Sequence, residues 1–112
     1  MQKSTITIDV TLDQNKIPQQ ISWKASDSSA ADVQQAKAMM LAFWDGQDRS
    51  ALRIDLWTRD MMVDEMGDFF HQTLMTMADT YRRSTGQTEL VEAIKLFADD
   101  FYKRSRELLE KS

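Results

Sequence analysis

The chain has 112 residues, about the size of one compact domain, and 42% of them are hydrophobic, so it can bury a core. Its net charge of -4 argues against a nucleic-acid partner, because phosphates attract a basic surface. The absence of cysteine excludes disulfides, thiolate metal sites and thiol catalysis.

The first residues show neither the basic region nor the apolar stretch of a secretory signal. No apolar run in the sequence is long enough to cross a bilayer. We therefore expect a single cytoplasmic domain over residues 1–112, without membrane insertion.

The beginning of the chain predicts a β-hairpin. Ser4–Leu12 alternates between apolar and polar residues, which is typical of a half-buried strand. Asp13–Lys16 supplies turn-forming residues, and Ile17–Ala25 repeats the alternation. Pro18 is acceptable near the start of a strand with an unpaired edge. The polar stretch Ser26–Asp32 that follows is expected to be a mobile linker.

The segment Ala36–Asp45 has two interpretations. Its methionines and alanines suit a helix. If the segment is a strand instead, apolar residues would lie on both of its faces. Asp45-Gly46 is a strong hairpin signal, and Leu52–Trp57 alternates clearly. That strand needs a partner, so we predict a second hairpin and allow a helical turn at Val33–Ala36.

Two helices are predicted to follow. From Met62 the apolar period becomes 3.6 residues, and the first helix should end before Gly86. Thr88 is the expected N-cap of the second. The predicted fold class is thus α+β, a four-stranded antiparallel sheet of two hairpins followed by two helices packed on one face. The apolar positions of the helices are Met66, Phe69, Phe70, Leu74, Met77 and Tyr81, then Leu90, Ile94, Phe97, Phe101 and Leu108.

Asp64, Asp68 and His71 are the sharpest candidates for chemistry, as a metal site. Spacings of four and three residues place them on one face of the first helix. That face lies opposite the apolar positions, so we expect it to be solvated, and the second helix offers no histidine. The glycines are isolated and no nucleophile motif is present. We therefore predict no catalytic residue, no metal and no cofactor, and hence no enzyme.

The second hairpin carries the predicted interaction surface. If Leu52, Ile54 and Leu56 face the core, the intervening residues of that strand face outward. If Phe43 also faces the core, so do its alternate neighbours on the same strand. Outward-facing Trp, Met and Arg are typical of protein interfaces. The predicted surface comprises Met40, Trp44, Arg53, Asp55 and Trp57.

Four segments carry a resemblance to a known family. They are Leu52–Met61 (LRIDLWTRDM), Val63–Met66 (VDEM), Phe69–Leu74 (FFHQTL) and Met77–Thr80 (MADT). This block resembles the gliding-motility GldC family, and the likeness extends over a single GldC-like domain. Gly67 departs from expectation, because glycine inside a helix costs about 1 kcal/mol.

The resemblance implies a role in surface motility of gliding bacteria and no known enzymatic activity. We expect a non-enzymatic accessory protein that binds a protein of the motility or export machinery, as a homodimer or higher homo-oligomer. The β4α2 order is also similar to the export chaperone SecB, which gives a first alternative, a chaperone for export substrates. The second alternative is a metal-binding enzyme or sensor that uses the face of Asp64, Asp68 and His71.

Overall fold

The structure is a computed structural model, described for residues 2–27 and 32–111. It has two compact units, Met1–Met61, here called the sheet unit, and Met62–Ser112, here called the helix unit. Their described residues form the strands β1 (Ile6–Leu12), β2 (Pro18–Ala25), β3 (Gln34–Ala36), β4 (Ala38–Asp45) and β5 (Ser50–Trp57) and the helices α1 (Val63–Thr85) and α2 (Thr88–Lys111). The α+β class is thereby confirmed.

The first predicted hairpin is confirmed. β1 and β2 pair antiparallel, with Val10 opposite Ile21. Asp13 holds the turn, because its Oδ1 accepts the N–H of Asn15 at 2.7 Å and that of Ile17 at 3.0 Å. The bond from Ile17 is the main reason that the pKa of the Asp13 carboxyl lies below its ordinary value. Of the linker predicted after this hairpin, residues 28–31 lie outside the described residues.

The second hairpin is confirmed as well, since β4 pairs antiparallel with β5 from Ala38 opposite Trp57 to Asp45 opposite Ser50. The helical turn allowed at Val33–Ala36 was wrong, because residues 34–36 form β3.

The single four-stranded sheet was wrong too: the described strands make one sheet ordered β1-β2-β3 and another of β4 and β5. The chain bends at Lys37, between a strand paired with β2 and a strand paired with β5. Continuing the β2–β3 register past Ile21–Ala36 would set Pro18 opposite Met39. Proline has no N–H for such a ladder, whereas Thr58 donates its N–H to the Lys37 carbonyl at 2.8 Å.

Both helices are confirmed, and α1 ends before Gly86 as predicted, whereas Thr88, the predicted N-cap of α2, is its first helical residue. At the start of α1, Glu65 Oε1 accepts the Met62 N–H at 3.2 Å. At its end, Gly86 has a left-handed φ of 71° and donates its N–H to the Arg82 carbonyl, which is the usual role of glycine there. The packing of the helices on a sheet, and the likeness to SecB, stay predictions.

Small residues line the contact between α1 and α2. Ala78, Val91 and Ala98 are completely buried, so the two helices pack closely along this line. An ion pair from Asp79 to Lys95, 3.0 Å long, joins the helices beside it. The hydrogen bond from Lys95 is the main reason that the pKa of the Asp79 carboxyl is lowered.

The same close contact accounts for Gly67 inside α1. A Cβ on Gly67 would lie 3.3 Å from Ser105 Oγ and 3.7 Å from Ser105 Cβ. Only the first distance is crowded, so the hydroxyl of Ser105 is the atom that opposes a larger residue. The space beside Gly67 is therefore tight for a larger residue while Ser105 keeps its hydroxyl.

We expect the effect of Gly67→Ala to depend on residue 105. With Ser105 present, the gain in helix propensity of about 1 kcal/mol is offset by crowding. In a Ser105→Ala background, Gly67→Ala should raise the free energy of unfolding by about 1 kcal/mol. Urea unfolding of the four proteins of this cycle, followed by circular dichroism at 222 nm, measures the coupling. Equal effects of Gly67→Ala in both backgrounds would contradict the close contact.

Candidate interaction surface

The structure places all five residues of the predicted surface on one face of the β4–β5 hairpin, here called the tryptophan face. Residues directly opposite in an antiparallel pair share a face. Met40 lies opposite Asp55, and Arg53, Trp44 and Trp57 lie opposite alanines of the other strand. Trp44 is 63% exposed and Trp57 is 58% exposed.

The two tryptophans of this face do not contact each other. Trp57 lies opposite Ala38, six residues along β4 from Trp44, which corresponds to about 20 Å. Between them Arg53 binds Asp55 with two hydrogen bonds, of 2.9 and 3.0 Å. These bonds raise the pKa of the guanidinium. One copy of the chain therefore presents two separate indoles with an ion pair between them.

The opposite face of this hairpin, here called the aliphatic face, corrects the prediction. We expected Phe43, Leu52 and Ile54 to face the core, but these residues are 59%, 57% and 52% exposed. Phe43 is paired directly with Leu52, so they form a continuous apolar surface. The hairpin therefore exposes large apolar side chains on both faces.

The outer edge of β5 is a third exposed feature of the hairpin. Thr58 donates its N–H to Lys37, which makes these two a hydrogen-bonded pair in line with the β4–β5 register. Hydrogen-bonded and non-bonded pairs alternate along an antiparallel ladder. Residues 52, 54 and 56 therefore bond to β4, whereas the N–H and C=O groups of residues 51, 53, 55 and 57 point to the outer edge. Among the described strands, only β4 pairs with β5.

We expected His71 to lie on a solvated face, but the structure places it against α2. Its Nε2 lies 3.2 Å from Asp99 Oδ1, and its ring centroid lies 4.6 Å from that of Tyr102. Both partners are on α2, so His71 belongs to the contact between the helices. Over residues 2–27 and 32–111, no group of three or more His, Asp or Glu could hold a metal ion.

Asp99 and Tyr102 were not predicted as partners of His71, because apolar periodicity describes each helix by itself. Two residues, Gly86 and Gln87, join α1 to α2, and helices with so short a connection run antiparallel. In such a pair, contacting residues have position numbers with a nearly constant sum. The residue numbers of Asp79 and Lys95 add up to 174, and those of Gly67 and Ser105 add up to 172. A residue of α2 that contacts His71 should therefore lie near position 102.

The apolar positions of the helices are only partly buried. Five of the predicted positions have exposed side chains, although Phe70 stacks on Phe101 at 6.1 Å between ring centroids. Exposed apolar residues are thus present in both units. The five are Phe70, Met77, Leu90, Phe97 and Leu108.

In the part of the chain that the structure describes, neither helix has the length and apolar character needed to cross a membrane. A family model described as gliding motility-associated protein GldC-like matches residues 18–107, a range that contains the tryptophan face. Comparison with curated proteins and with solved structures gave no match.

Proposed function

Because this chain belongs to the GldC-like family of gliding motility-associated proteins, we propose that it acts by binding another protein of the motility or linked export machinery. The contact surface is the tryptophan face of the β4–β5 hairpin. The protein contributes no catalysis of its own; it acts as an accessory protein that holds a partner.

The exposure of Trp44 and Trp57 on one face carries this proposal. Large aromatic side chains dominate the binding energy of protein interfaces, and arginine is the other residue enriched there. Arg53 stands between the two indoles, paired with Asp55, and its guanidinium is positioned to meet a polar group of the partner. An apolar partner surface with a polar strip fits this arrangement.

Trp57→Ala is expected to lower the recovery of the partner, in affinity capture from gliding cells, at least tenfold, since losing an interface anchor costs about 2 kcal/mol or more. Trp44→Ala should act in the same direction. Leu96→Ala, which truncates an exposed side chain of α2, is the control and should leave recovery unchanged. Gliding speed of the three strains should follow recovery.

Stability must be measured alongside recovery. Both tryptophans are more than half exposed, so their truncation should leave the midpoint of urea unfolding nearly unchanged. Full recovery of the partner and normal gliding with the Trp44→Ala/Trp57→Ala double variant would contradict the proposal.

A second candidate function is a chaperone for unfolded export substrates. It is favoured by the aliphatic face, which offers Phe43, Leu52 and Ile54 to solvent, since surfaces that bind many unfolded chains are apolar and extended. Titration with two unrelated, reduced and alkylated polypeptides separates the candidates. Binding of both, abolished by Leu52→Ser/Ile54→Ser, supports a chaperone; selective binding of one folded partner supports the accessory role.

A further inference from the structure

We propose that the chain forms a twofold symmetric homodimer in which β5 pairs antiparallel with β5 of a second copy, centred on Ile54. The inference stands on the edge of β5 and its charges, and it does not depend on the identity of any motility partner.

The edge of β5 is suited to pairing. The outward N–H and C=O groups of residues 51, 53, 55 and 57 are paired with no other described strand. β5 is eight residues long and contains neither proline nor lysine, the residues that commonly protect an edge strand from another chain. A partner strand would satisfy these backbone groups.

β4 is a poorer edge for such pairing. It follows β3 after the single residue Lys37, and β3 is already paired with β2. The beginning of β4 is therefore tied through Lys37 to a strand of the other sheet. β5 has no such neighbour among the described strands.

Charge selects the register. With Ile54 opposite Ile54 of the second copy, Arg53 of each copy lies opposite Asp55 of the other. Shifting the centre to Arg53 would set two arginines opposite each other, and shifting it to Asp55 would set two aspartates opposite each other. Opposite charges across strands stabilise a sheet and like charges destabilise it.

The directions of the backbone N–H and C=O groups are compatible with the register that the charges favour. Residues 53 and 55 both point their N–H and C=O groups to the outer edge, so they can form a hydrogen-bonded pair across the axis. The same holds for residue 51 with residue 57. Four such pairs would supply about eight hydrogen bonds between the copies.

The dimer would also change the tryptophan face. Trp44 lies opposite Ala51, and in this register Ala51 lies opposite Trp57 of the second copy. Trp44 and that Trp57 would then stand about 10 Å apart across the small Ala51, since strands are spaced by about 4.8 Å. Two indoles that are distant in one copy become neighbours in the dimer.

Charge reversal tests the pairing in the purified full-length chain. Light scattering should give twice the 13.0 kDa of one chain. Arg53→Asp and Asp55→Arg, each alone, should weaken the dimer about tenfold or more, because like charges then face each other. An equimolar mixture of the two variants should dimerise again, and so should the double reversal. A monomeric wild-type chain, or a mixture no tighter than its components, would overturn the proposal.

Cross-linking tests the register. The chain has no cysteine, and Ile54→Cys would place two thiols directly opposite in a non-hydrogen-bonded pair, where Cα atoms lie about 4.5 Å apart, within disulfide range. Mild oxidation should therefore give a covalent dimer. Leu52→Cys is the matched control on the same face, since its two copies would lie about 13 Å apart and should stay unlinked. Equal cross-linking of both variants would overturn the register. Both assays use the purified chain alone, so their failure is separable from a failure to bind a motility partner.

Discussion

Ile21→Ala should lower the free energy of unfolding of the sheet unit by about 2–5 kcal/mol, the usual cost of removing a buried isoleucine side chain. Ile21 is only 1% exposed, the one large side chain among the described residues of the sheet unit that is completely buried. It lies on β2 opposite both Val10 and Ala36, so its loss leaves a cavity that neighbours on two strands must fill.

The chain itself provides a selective probe for this measurement. All three tryptophans, at positions 23, 44 and 57, lie in the sheet unit. Tryptophan fluorescence during urea unfolding therefore reports on that unit alone. Ile6→Ala is the control, since Ile6 is 72% exposed on β1, and it should shift the midpoint little. Equal shifts from the two variants would mean that Ile21 does not anchor this unit.

The second large effect is expected in the helix unit. Ala98→Leu should destabilise the helix pair by about 1–3 kcal/mol, because extra methylene groups in a close-packed contact force the structure apart. Ala98 is completely buried where α2 meets α1. Helix propensity does not explain such a loss, since leucine is nearly as good a helix former as alanine.

Ala93→Leu makes the same chemical change on the exposed surface of α2 and should be nearly neutral. Circular dichroism at 222 nm during urea unfolding compares the two variants, since the described helices lie only in this unit. A loss with Ala93→Leu as large as that with Ala98→Leu would show that the loss is not caused by crowding at the helix contact.

The periodicity of the sequence predicted both hairpins and both helices, because each period is set locally. The bend at Lys37 was not predictable in the same way. Its carbonyl bonds to Thr58, 21 residues further on, and the alternation of apolar residues does not reveal which of two strands a segment will join. The division into two sheets follows from that choice.

Periodicity also shows which residues share a face but not whether the face is covered. Trp44 and Trp57 were placed on one face of the hairpin by alternation alone, and the structure places them there. Ile54 was assigned to the core by the same reasoning, yet it is more than half exposed. Burial depends on what packs against a face, and alternation within one strand contains no information about that.

The contact between Gly67 and Ser105 makes the order of evolutionary change matter. The two positions are far apart in sequence but meet across the helix pair, where a Cβ on residue 67 would lie 3.3 Å from the serine hydroxyl. A lineage that first replaces Ser105 by alanine opens a route to a larger residue at 67. A lineage that keeps Ser105 must keep glycine or accept crowding at position 67.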